Sequence, residues 1–183
     1  LQGVLRNALA EPYLLGVSGG AAVGAVLALV LGLTAPALLP LAAFAGAIGA
    51  AALVLGVARA VSGALDVRLL VMAGVVVGAF TNALVLVLLA GRPAETVRDA
   101  LYWMVGSVAG ARWTPVGWLA AYVGAGVLAL AAWGRDLDAL ALGDESAAAL
   151  GVAPERAARR VFLVASLVAA ATVAAAGLVG FVG

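Results

Sequence analysis

Cysteine, histidine and lysine are all missing from these 183 residues, and charge of either sign is scarce: ten arginines and nine acids make up 10% of the chain, for a net charge of +1. Without thiols or imidazoles there is no disulfide framework, no zinc site, no thiolate nucleophile and no histidine acid–base pair. Without a basic excess there is no electrostatic footprint for a nucleic acid. What is present is oil. Hydrophobic residues make up 66% of the chain, with 24 glycines besides, and the mean hydropathy is +1.21. Soluble globular domains carry roughly 45–50% apolar residues with glycine included, and disordered chains carry fewer still. The composition excludes a soluble enzyme and describes a membrane protein.

A span needs about 20 largely apolar residues to cross about 30 Å of hydrocarbon. Five stretches qualify: 13–33, 37–58, 69–90, 115–133 and 160–182. None holds an acid, and Arg160 is the one arginine, at the start of the last. Their Ala, Leu and Val runs lack the alternation of a barrel strand, so the expected fold is all-α, a polytopic transmembrane bundle forming a single domain over 1–183. Glu11 and Pro12 ahead of the first run, and its length, argue against a signal peptide. The chain opens on Leu1 and closes inside an apolar run, so the expectation is an internal piece of a longer protein, incomplete at both ends and unable to transport on its own.

Arginines on alternating sides set the orientation. Arg6, Arg59, Arg68, Arg135, Arg156, Arg159 and Arg160 fall on one side; Arg92, Arg98 and Arg112 fall on the other. The arginine-rich side belongs in the cytoplasm. Small residues recur every fourth position at Gly20 and Gly24, at Ala42, Gly46 and Ala50, and at Gly74 and Gly78, which keeps a helix face flat for close packing. Asn82, beside Thr81 near the middle of the third span, carries an amide that must face protein or water. Ser18, Ser166 and Thr172 can bond to carbonyls of their own helices. No span offers paired carboxylates to couple a proton or sodium ion.

Two segments lie outside the spans. In 135–160, Asp144 suits a helix N-cap with Glu145 beside it, Gly151 a left-handed stop, and Pro154 the first turn of a following helix. Arg156, Arg159 and Arg160 then share one face. The expectation is two short helices separated by a sharp turn, lying across the end of the bundle. On the other side, Ala94 to Trp113 reads as a short amphipathic helix followed by Gly106 and Gly110. Tyr102, Trp103, Trp113 and Trp118 are suited to anchor at headgroup level.

In this order the segments resemble a known family. LQGVLRNALAEPYLLGVSGGA (1–21) is similar to the "LQ…NPLAxPxLLGVSxGA" block of ABC importer permeases for iron–siderophore, haem and cobalamin uptake. LLVMAGV (69–75) resembles their "LLLAGV", YWMVGS (102–107) their "YWMxGS", and ALGDESAAALGV (141–152) their "LGxexAxxLGV" coupling segment. GLVGFVG (177–183) resembles the start of "AGxIGFVGLxxPH". Ala8 stands where the family usually has proline. Against a ten-helix subunit, the five spans correspond to helices three to seven.

The resemblance implies a permease subunit in a bacterial cytoplasmic (inner) membrane, dimerised with an identical or paralogous copy. Two cytoplasmic ATPase subunits would drive it, and a periplasmic or lipid-anchored binding protein would deliver cargo, an iron–siderophore by family abundance. ATP and magnesium belong to the partner. No Walker A loop occurs here, so this chain is not an enzyme and holds no cofactor or metal. The implied coupling residues are Leu142, Gly143, Asp144, Glu145, Ala147, Leu150 and Gly151, with small Ala147 and Ala148 permitting close docking. The loop from Ser62 and Gly63 to Val67 narrows the inner mouth, Asn82 faces the translocation path, and Arg92 and Arg98 meet the binding protein. The competing reading is a secondary carrier or channel with no ATPase. A membrane enzyme comes third, for want of a nucleophile–base or metal constellation.

Overall fold

The computed structural model describes residues 16–33, 37–62 and 67–179, with residues 2 and 35 besides. Eight helices lie among residues 16–179: α1, Val17–Val30; α2, Leu38–Ser62; α3, Val67–Leu89; α4, Ala94–Val105; α5, Trp113–Ala132; α6, Gly134–Ala141; α7, Asp144–Ala149; and α8, Pro154–Ala176. No strand occurs among the described residues. Among the described residues four helices are long and apolar enough to cross a membrane: α2, α3, α5 and α8. Among the described residues the fold is all-helical, as apolar runs without alternation lead one to expect.

The 14-residue α1 is short by that measure and is the most enclosed helix. Val17, Gly19, Gly20, Ala21, Ala22, Ala25, Val26 and Ala28 are all buried. Its small side chains are the reason it can sit inside. A β-carbon on Gly24 would overlap the Ala42 carbonyl oxygen, and one on Gly20 would overlap the Gly46 carbonyl oxygen and the Ala50 β-carbon. Position rises along α1 as it falls along α2, so these two helices run antiparallel in near backbone contact. On its other side α1 runs parallel to α3: Gly16 faces Gly74 and Val77, and Gly19 faces Thr81. All three small-residue patterns therefore meet on α1. The main core joins α1, α2, α3 and α8 through Val17, Val54, Leu55, Leu70, Val77 and Phe162. Phe44 of α2 meets Tyr122 of α5 edge to face at 6.1 Å.

Chain direction gives the bundle two ends. At one end α4 packs Ala100 among Ala22, Val26 and Val85 and tucks Trp103 against the main core. There the final helix departs from the expected span of 160–182. It stops at Ala176, where Gly177 turns to φ +80°, and the Ser107 N–H donates to the Ala176 carbonyl at 2.9 Å. Gly106, at φ +74°, lies against it: a β-carbon on Gly177 would stand 2.6 Å from the Gly106 Cα. Only two glycines allow this crossing. The other end carries α6, α7 and the first turns of α8.

Candidate functional site

The segment after Trp133 folds into a knuckle with its own small core. Leu137 and Leu140, one turn apart on α6, turn inward, and Ala139, Leu140, Ala147, Ala157, Ala158 and Val161 form the centre. Leu130 of α5 and Val152 close its edges. Fully burying a side chain such as Leu140 contributes about 1.5–3 kcal/mol. That packing lets a six-residue helix persist where an isolated one would melt.

Helix α7 is fixed at both ends. Gly143, at φ +119°, occupies the cap position and Asp144 is the first helical residue, so the expected Asp144 cap is displaced by one residue. Asp144 and Glu145 still fill the first turn, where a helix start favours negative charge. At the far end the Gly151 N–H donates to the Ala148 carbonyl at 3.0 Å and the Val152 N–H to the Ala147 carbonyl at 2.9 Å. With Gly151 at φ +81°, this is a Schellman closure, and Val152 completes it by packing on the knuckle core.

The knuckle sorts the expected coupling residues into two sets. Ala147 is fully buried and anchors the helix from within, so it is not part of any outer contact face. Leu142 and Leu150 flank α7 with 70% and 66% of their surface exposed. Asp144, Glu145, Ala148, Ala149 and Gly151 lie exposed around them, and Gly143 is half-buried. The result is an exposed, small-featured surface with two aliphatic anchors and two acids.

Two features differ from expectation. No separate second short helix follows the turn, because α8 runs unbroken from Pro154 through Arg160 into the apolar stretch; nothing between them breaks a helix. The extra element is α6, which sequence reasoning left unassigned. Its signal was the Leu137/Leu140 spacing behind Asp136 in the first turn.

The remaining candidates lie apart. Thr81 is buried and its hydroxyl donates to the Val77 and Gly78 carbonyls at 2.9 Å each. Asn82, the next residue, is exposed on the outer face of α3, with Met72, Val76, Phe80 and Leu86 exposed on the same helix. Ser62 ends α2, and Gly63 lies outside the described residues. Arg92 donates from Nε to the Leu88 carbonyl at 3.2 Å. Arg98 lies 4.0 Å from Glu95 and 3.7 Å from Asp99, beside an open hollow of about 620 Å³ on α4 lined by Val97, Leu101, Tyr102 and Val105. Thr172 bonds to its own helix at the Ala169 carbonyl. The buried Ser166 hydroxyl does not, finding no partner among the described residues. No group of three or more metal-ligating side chains occurs among the described residues.

A bundle of apolar helices with a tightly capped knuckle at one end and an amphipathic helix across the other is a multi-pass membrane protein. The chain belongs to the FecCD transport family, which it matches over residues 1–183. It is 40% identical to the cobalamin import system permease protein BtuC of Halobacterium salinarum, over all of this chain and 49% of that protein. It is 34% identical to the hemin transport system permease protein HmuU of Yersinia pestis, over all of this chain and 55% of that one. The chain thus spans about half the length of the curated relatives it matches. It also superposes on a solved metal-chelate type ABC transporter in an inward-facing conformation, with a TM-score of 0.90 and 26% identity, over all of this chain and 57% of that one.

Proposed function

We propose that this chain is the central part of a permease subunit in an ATP-driven importer of the cytoplasmic membrane, moving a bulky chelate: an iron–siderophore, or else haem or cobalamin, for which its relatives are named. The observation that carries the reading is the knuckle. It offers Leu142 and Leu150 on a surface otherwise small in relief, at the end where Arg59, Arg135, Arg156, Arg159 and Arg160 gather, which is the cytoplasmic end by arginine bias. A separate ATPase, carrying its own ATP and magnesium, receives that surface in a cleft and pushes it as the cleft closes. ATP does this by binding one bundle arrangement more tightly than the other.

On this reading Asn82 faces the translocation path, since an exposed amide at mid-span is costly against lipid. A second permease copy faces α3 across that path, and the segment from Ser62 and Gly63 to Val67 narrows its inner mouth. At the opposite end Arg92 and Arg98 meet a periplasmic or lipid-anchored binding protein, although Glu95 and Asp99 already balance much of the Arg98 charge.

The test is Gly151→Val in the full-length subunit. A β-branched residue at φ +81° costs about 1–2 kcal/mol and opens the end of α7. The subunit is expected to insert normally and the partner to keep hydrolysing ATP while uptake is lost. Normal uptake by this variant would contradict the assignment. A secondary carrier, the competing reading, has no motor to uncouple.

A further inference from the structure

We propose that the groove between α6 and the start of α8 binds the phosphate headgroup of an anionic phospholipid. The inference rests on the chain being embedded in a membrane and not on what docks against α7. The groove, of about 220 Å³, is lined by Asp136, Gly151, Val152, Ala153, Arg156 and Arg160. A crevice beside it brings in Trp133, whose ring centre lies 6.0 Å from the Arg160 guanidinium.

Depth is the first argument. Helix α5 ends its apolar run at Ala132, and the apolar stretch of α8 begins at Val161. Trp133 and Arg160 are therefore the first residues outside the oily segments of two adjacent helices, the level at which amphipathic rings and lipid phosphates meet. Arg156 lies one turn further out and opens on the same groove. It has no ion-pair partner among the described residues.

Chemistry is the second. A guanidinium presents a planar fork that fits two phosphate oxygens at once, and cation–π attraction to the Trp133 ring favours keeping that of Arg160 at the groove. Basic pockets between helices at the cytoplasmic face suit lipid headgroups. Asp136 shares the groove, so two arginines and one carboxylate leave a single positive charge. That matches a headgroup whose phosphodiester is its only charge, as in phosphatidylglycerol, better than dianionic inorganic phosphate or a zwitterionic headgroup that brings an ammonium up to the two arginines.

The experiment uses the full-length subunit assembled with its ATP-hydrolysing partners, stripped of lipid and titrated with phosphatidylglycerol or phosphatidylcholine, with bound lipid counted by native mass spectrometry. Phosphatidylglycerol is expected to be retained and phosphatidylcholine not. The Arg156→Gln, Arg160→Gln double variant weakens retention about tenfold or more while the complex stays assembled, and Asp136→Asn strengthens it. Millimolar inorganic phosphate does not displace the lipid. Equal retention of the two lipids, displacement by inorganic phosphate, or weaker retention in Asp136→Asn would each overturn the proposal. So would an arginine variant that sheds its partners yet keeps the lipid, which would make the groove a protein contact.

Discussion

Gly24 of α1 and Ala42 of α2 meet backbone to backbone, so that a β-carbon on Gly24 would overlap the Ala42 carbonyl oxygen. One turn along, Gly20 meets Gly46 in the same way. The contact explains how a helix of only 14 residues serves as the centre of the bundle. With no large side chains between them, the two backbones gain dispersion contacts along their length, the main source of helix association inside a membrane.

Gly24→Leu should therefore lower the thermal midpoint of the full-length subunit in detergent, with overpacking costing about 1–3 kcal/mol. Gly49→Leu is the control, because a β-carbon at Gly49 meets nothing within 4 Å. An unchanged midpoint for Gly24→Leu would mean that α1 and α2 stand further apart than described.

Within the knuckle, neighbouring alanines should behave oppositely. Ala147 is fully buried, so Ala147→Leu overfills the small core and destabilises it by about 1–3 kcal/mol. Ala148 is exposed, so Ala148→Leu should change stability by no more than about 0.5 kcal/mol and instead reduce co-purification of the ATP-hydrolysing subunit. Equal effects of the two changes on folding would reject the inside–outside assignment.

Asn82→Leu removes an exposed amide with no buried role. The subunit should be at least as stable to heat, and uptake should fall, because the change reaches only what passes or packs along the outer face of α3. Full uptake by this variant would take Asn82 off the path.

Most of this architecture was legible in the sequence, for physical reasons that differ by region. The apolar stretches announce helices because a bilayer leaves the backbone no other way to satisfy its hydrogen bonds, and Gly20, Gly24 and Gly46 announce a close contact because small residues have little other use there. The turn at Gly151 was readable because a left-handed backbone selects glycine. What stayed hidden depended on tertiary contact. The end of α8 at Ala176 arises from Gly106 and Ser107, some seventy residues earlier in the chain. Helix α6 is stable only with Ala147 and Val161 packed on it. The inward turn of Ala147 could not be told from that of Ala148 in a run of three alanines, since only the placement of α6 decides which one is covered.

The central claim, that the exposed leucines of the knuckle touch a nucleotide-driven motor, is tested most directly by placing single cysteines at Leu142 and Leu150 in a full-length subunit free of other cysteines. A membrane-impermeant thiol reagent should label both from the cytoplasmic side alone. Both should cross-link to the ATP-hydrolysing subunit with a yield that changes when ATP is added. Labelling from the outer side, or no cross-link to that subunit under any nucleotide condition, would contradict the account.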